Sequence, residues 1–114
     1  MRRERIDGLH VLGGSAGIHL GRVVELAVES RIPTIATNRK STEEGILASY
    51  GANFPDLYRR AALYVDKIFK GAKPADLPVD LPTTFELGIN MKTAAAIGVS
   101  IAPVVLQRAD FVIR

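Results

Sequence analysis

Between Phe54 and Ile68 apolar side chains return every three or four positions, at Phe54, Leu57, Ala61, Val65 and Ile68, while Asp56, Arg59, Arg60, Asp66, Lys67 and Lys70 take the places between and after them. That period predicts a helix with one apolar stripe. Both ends are punctuated. Asn53 suits the N-cap, Pro55 the first turn, Asp56 the positive end of the helix, and Lys67 and Lys70 the negative end before Gly71. One face is expected to pack and the other to be wet. Upstream, short apolar runs alternate with glycine or polar segments. Leu9 to Leu12, Arg31 to Thr37 and Ile46 to Tyr50 read as strands, with Pro33 tolerated near a strand start. Ile18, Val23, Val24, Ala27 and Val28 mark a helix ending near Ser30, and Asn38 to Glu44 is a polar loop with room for one helical turn.

Downstream of the long helix, Pro74, Pro78 and Pro82 disfavour helix and predict an extended connector. Thr83 to Ile89 alternates, with Phe85, Leu87 and Ile89 on one side, as a half-exposed strand does. Asn90 caps a short helix through Ala96 that Gly98 ends, Pro103 opens a last helical piece to Ala109, and Phe111 to Ile113 closes the chain. Strands alternating with helices predict a three-layer, Rossmann-like α/β fold with parallel pairing and right-handed crossovers. A length of 114 residues suits one domain over 1–114, and neither a repeat nor a dividing linker interrupts it.

Composition narrows the classes. Without cysteine there is no disulfide, thiolate catalysis or Cys-ligated zinc. Fifteen Lys and Arg against twelve Asp and Glu give a net charge of +3. That excess falls at Arg2, Arg3 and Arg5, and is too slight and too poor in neighbouring aromatic rings for a nucleic-acid surface. No apolar run approaches the roughly 20 residues of a membrane span, and Met1 leads into charged residues rather than an export signal.

Candidate chemistry is sparse. Gly13-Gly14-Ser15-Ala16-Gly17 before a helix invites a phosphate-binding reading, since backbone N–H groups can converge there on an anion. Its spacing matches neither the dinucleotide fingerprint nor the P-loop, and Ser15 serves equally as an N-cap. A small nucleotide- or phosphate-binding enzyme or regulator built on this loop is one alternative. His10 and His19 lack companions at ligand spacing, and Glu43-Glu44 suits a solvated loop as well as an acid/base pair. No Gly-x-Ser-x-Gly elbow is present, and no metal or cofactor is expected. In open parallel sheets ligands collect at the carboxyl ends of the strands. Those ends are Gly14 and Ser15, then Thr37, Asn38 and Arg39, then Ser49 and Tyr50, a polar set suited to a small polar ligand.

The run Ala48 to Ala62, continuing through Lys67 to Val79, then Phe85-Glu86-Leu87, Ile89-Asn90, Lys92-Thr93-Ala94, Gly98, Leu106 and Arg108-Ala109-Asp110, resembles the carboxy-terminal part of the substrate-binding proteins of ABC transporters. The resemblance covers Gly8 to Ile113. It implies a portion of a type I periplasmic-binding-protein fold, in which two α/β lobes close on a solute. The segments near 45–53 and 73–90 would be the crossovers, and the long helix would belong to the other lobe. It implies binding without catalysis, a small-molecule solute, a membrane permease as partner and a periplasmic or extracytoplasmic location. Ser15, Asn38 and Tyr50 would touch the solute. Most of the first lobe is expected to be absent, which would leave sheet edges and apolar faces open and favour a homodimer. A remnant that dimerises and binds nothing is the second alternative.

Overall fold

The computed structural model describes residues 6–13 and 18–114. In chain order its elements are β1 (Leu9–Val11), α1 (Leu20–Glu29), β2 (Thr34–Ala36), α2 (Arg39–Glu43), β3 (Ala48–Ala52), α3 (Phe54–Phe69), a 3₁₀ turn (Pro74–Asp76), β4 (Phe85–Asn90), α4 (Met91–Ile97), α5 (Pro103–Arg108) and β5 (Phe111–Ile113). The expected elements are present, with two shifts. The third strand runs two residues past Tyr50, and the polar loop after the second strand is a short helix. Ile18, assigned to the apolar side of the first helix, is 80% exposed because α1 begins at Leu20.

The five strands form one sheet in sequence order, β1-β2-β3-β4-β5. Pairing is parallel except between β3 and β4, which run antiparallel with Tyr50 opposite Leu87 and Ala52 opposite Phe85. The sheet is thus mainly parallel, as expected, with one antiparallel pair that the alternation of elements does not predict. The chain leaves β3, makes α3, and returns along the proline connector to the end it left, where the Asn53 N–H donates to the Thr84 carbonyl at 3.0 Å. A return to the same end dictates an antiparallel neighbour.

Side chains alternate across the sheet. Val11, Thr34, Ala36, Ser49, Gly88 and Asn90 share the covered face and are buried. Leu20, Val23 and Val24 of α1 pack there on Val11, Ala36 and Ile46, and α4 adds Ala94 and Ile97 against Leu47. On the opposite face Ile35 (40%), Tyr50 (57%) and Phe85 (48%) stay exposed.

The long helix departs most from expectation. Its caps are as read: Asn53 Oδ1 accepts the Asp56 N–H at 2.8 Å, Pro55 lies in the first turn, and Lys67 in the last. Yet no residue of α3 is buried, and its apolar stripe, with Val65 at 50% and Ile68 at 41%, is bare. Nothing in the described chain covers it except the connector, which Arg60 and Tyr64 hold against one side. Arg60 donates to Asp80, to the Leu81 carbonyl and to Thr83, and the Tyr64 hydroxyl donates to the Pro78 carbonyl at 2.7 Å. With α3 projecting, the radius of gyration is 18.0 Å, against about 13 Å for a compact domain of this length.

Candidate functional site

Two turns of chain meet beside the carboxyl ends of β2 and β3. The first is Asn38, whose extended backbone ends the strand segment and whose side chain starts α2: Oδ1 accepts the Ser41 N–H at 2.9 Å and the Ser41 hydroxyl at 3.1 Å. The same short helix is anchored from below, where buried Asn90 donates its Nδ2 to the Thr42 carbonyl at 2.9 Å and Thr93 donates its hydroxyl to the Gly45 carbonyl at 2.8 Å. The second is Asn53, which caps α3 through Oδ1 and donates Nδ2 to Glu86 Oε1 at 2.6 Å. One amide thus fixes both the helix start and a carboxylate on the neighbouring strand.

Glycine sets how closely these pieces approach. A Cβ on Gly51 would lie 1.8 Å from the Thr37 carbonyl oxygen, so β3 passes against the β2–α2 turn only without a side chain there. A Cβ on Gly88 would lie 2.0 Å from the Phe111 ring. The ring therefore lies against Gly88 of β4, and the Arg39 guanidinium sits over it, 4.3 Å from its centroid. Arg39 Nε also donates to Glu43 Oε1 at 2.9 Å. Stacking and this bond hold an otherwise mobile side chain in one orientation.

The result is a cleft of about 550 Å³, within the range of small-molecule sites. Its lining combines Asn38, Arg39, Lys40 and Glu43 of the β2–α2 segment with Asn53 and Glu86, and with Ala52, Phe54, Pro55 and Tyr58. The two cations are matched by two carboxylates, so the lining has no net formal charge. A second groove, of about 340 Å³, lies between α3 and the connector and is lined by Leu57, Arg60, Tyr64 and Pro78 to Leu81.

Of the strand-end residues expected to touch a ligand, Asn38 lines the cleft. Tyr50 does not: it stands mid-strand on the open face of the sheet, stacked on Phe85 with ring centroids 5.9 Å apart. Ser49, placed at a strand end by the sequence, is inside β3 and 1% exposed. Ser15 and the Gly14 to Gly17 part of the glycine loop lie outside the described residues. Glu43 and Glu44 each pair with a cation of their own helix, Arg39 and Lys40. Among the described residues no three His, Asp or Glu side chains gather to hold a metal, and no helix is long and apolar enough to cross a membrane. Asn53 and Glu86, which also line the cleft, are not among the strand-end residues expected from the sequence. The available signal was the parity of the alternating strand, which sets Glu86 opposite to Phe85 and Leu87.

The family model described as ABC transporter substrate binding protein matches residues 15–113. Among solved structures, a conserved domain protein from Vibrio cholerae is similar over 93% of this chain and 36% of its own, with 25% identity and a TM-score of 0.87. The ABC domain in complex with L-Trp from Streptococcus pneumonia is similar over 96% of this chain and 37% of its own, with 29% identity and a TM-score of 0.85. A substrate binding protein with adhesive properties from Clostridium difficile, in its ligand-free, open form, is similar over 95% and 36%, with 26% identity and a TM-score of 0.68. The chain thus spans little more than a third of the length of these structures. No curated protein sequence matches it.

Proposed function

Because the chain belongs to the family of ABC transporter substrate binding proteins, we propose that it forms one wall of a solute-binding cleft serving an ABC-type uptake system. The observation that carries this reading is the position and make-up of the cleft: carboxyl ends of β2 and β3, polar and charged lining residues with no net formal charge, and apolar ones beside them. The solute is a small polar or amino-acid-like molecule. The L-Trp complex of the similar pneumococcal structure supports that class. The protein binds and releases without catalysis, outside the cytoplasm, and passes the solute to a membrane permease. Asn38 is a contact residue in this reading, joined by Asn53 and Glu86.

The uncovered stripe of α3 belongs to the same account. In the two-lobe fold this helix lies with the other lobe; here no residue of it is buried by the described chain, and a second copy covers its stripe. The total accessible surface is 8509 Å², roughly 2,400 Å² more than the ~6,100 Å² of a compact monomer of this mass. About 800 Å² per partner suffices for a standard interface.

The chain contains no Trp, so the emission of added L-Trp, excited beyond the tyrosine band, reports on the ligand alone. A saturable change that other small amino acids compete away is expected. Competition only by a nucleoside phosphate would overturn the reading and favour the glycine loop as the working site, and no change would overturn it in favour of a chain that binds nothing.

A further inference from the structure

We infer that two copies pair antiparallel along α3 about a two-fold axis between Ala61 and Ala62, so that Phe69 of one copy meets Phe54 of the other beside its cleft, an arrangement that rests on the second-copy and solute readings above. Three observations carry it. First, the bare stripe is close to a palindrome. At 100° per residue, Phe54, Tyr58, Ala61, Ala62, Val65 and Phe69 fall within about 100° of arc, and all six are exposed, Phe69 by 87%. Phe54 and Phe69 stand equally far from the midpoint, as do Tyr58 and Val65, then Ala61 and Ala62. A two-fold interface requires a patch that complements itself. The alanines at the centre let the helix axes approach, and the rings fill the space where crossing helices diverge.

Second, the charges beside the stripe select the antiparallel direction. Arg59 and Asp66 lie on the same edge, within about 20° of each other at 100° per residue. In the antiparallel pair, Arg59 of one copy comes within about 3 Å, along the axis, of Asp66 of the other. A parallel pair would set each against its like. Their bonds to Asp56 and Lys70 of the same helix are exposed and leave both side chains within reach of a second copy. Third, the other edge of the stripe is apolar as well. The connector, held there by Arg60 and Tyr64, presents Val79 and Leu81, 91% and 71% exposed, and widens the patch. Phe54 and Tyr58 also line the cleft, so the pairing sets Phe69 and Val65 of the second copy at its apolar side. In its own copy Phe69 is about 22 Å along the helix from Phe54.

The chain has no cysteine, and no residue of α3 is buried, so single cysteines on this helix report pairing without disturbing a core. Tyr58→Cys and Val65→Cys, mixed and mildly oxidised, should form a disulfide-linked dimer. Either variant alone should not, because its own two positions lie roughly 10 Å apart along the axes, beyond the about 7 Å that a disulfide spans. Leu63→Cys, on the opposite side of the helix and 61% exposed, should stay unlinked. Phe69→Ala should weaken L-Trp binding by about tenfold, the scale of one partly buried ring. Links within each single variant would overturn the arrangement in favour of parallel pairing, and links at Leu63→Cys as fast as in the mixture would overturn it as mere collision. A sedimenting dimer that gives no link in the mixture, or that keeps its L-Trp affinity in Phe69→Ala, would overturn the arrangement and leave a second copy on another surface. A monomer would overturn it together with the second-copy reading, whereas linking as expected without L-Trp binding would uphold the pairing and sink the solute reading alone.

Discussion

Asn53, Gly51 and Arg39 shape the cleft, each for a different physical reason. Gly51 is a matter of space: with a Cβ 1.8 Å from the Thr37 carbonyl, Gly51→Ala must push β3 or the β2–α2 turn aside. A loss of about 3 kcal/mol in denaturant unfolding is expected, the upper end for overpacking. An unchanged midpoint would mean that the turn yields freely. Asn53 is a matter of double use. Asn53→Ala removes the cap of α3 and the donor that fixes Glu86, and should cost about 1 kcal/mol of stability from the cap alone. Asn53→Asp separates the two roles, because an aspartate still caps but sets a like charge beside Glu86. Stability should then be largely retained while solute affinity falls; a parallel loss of both would place the effect in folding rather than in the cleft. Arg39 acts through orientation, and its stack depends on the Phe111 ring lying against Gly88, where a side chain would displace it.

At the scale of elements, α3 and the connector behave as one piece because Arg60 reaches three groups of residues 80–83 and Tyr64 a fourth at Pro78. Arg60→Ala should leave the helix intact and loosen the connector. Faster amide exchange at residues 77–83, with exchange in the sheet unchanged, is the expected readout; unaltered exchange there would show that the prolines alone hold the segment. The elements also show what could be read from the residues. α3 announced itself through Asn53, Pro55, Asp56 and Gly71, because caps and breakers are local signals. The short helix at α2 was half visible as a polar turn after Asn38. The antiparallel return of β4 was not legible, since alternation at Phe85, Leu87 and Ile89 is the same for either direction and only the path of the chain decides. The bare face of α3 was equally hidden, because a periodic stripe states that a face is apolar and not that anything in the same chain covers it. Strand-end logic points to Asn38, which lines the cleft, and to Tyr50, which does not, as β3 continues two residues further to Ala52. Glu86 lies on the neighbouring strand but 33 residues further along the chain, and no local pattern joins it to Asn53.

For the whole molecule, an extended outline and a large surface follow from an uncovered helix beside a half-open sheet. Sedimentation of the chain at micromolar concentration should give a dimer, and Val65→Glu, which puts a charge into the bare stripe, should return it to a monomer. A wild-type monomer would contradict the second-copy assignment without touching the cleft. The most direct test of the central claim is a ¹⁵N-edited NMR titration of the chain with L-Trp, read residue by residue. The account predicts saturable shifts concentrated at Asn38, Arg39, Asn53 and Glu86, flanked by Phe54 and Tyr58. Shifts confined to the groove from Leu57 to Leu81, or to the loop from Gly13 to Gly17, or no shifts at saturating ligand, would contradict it.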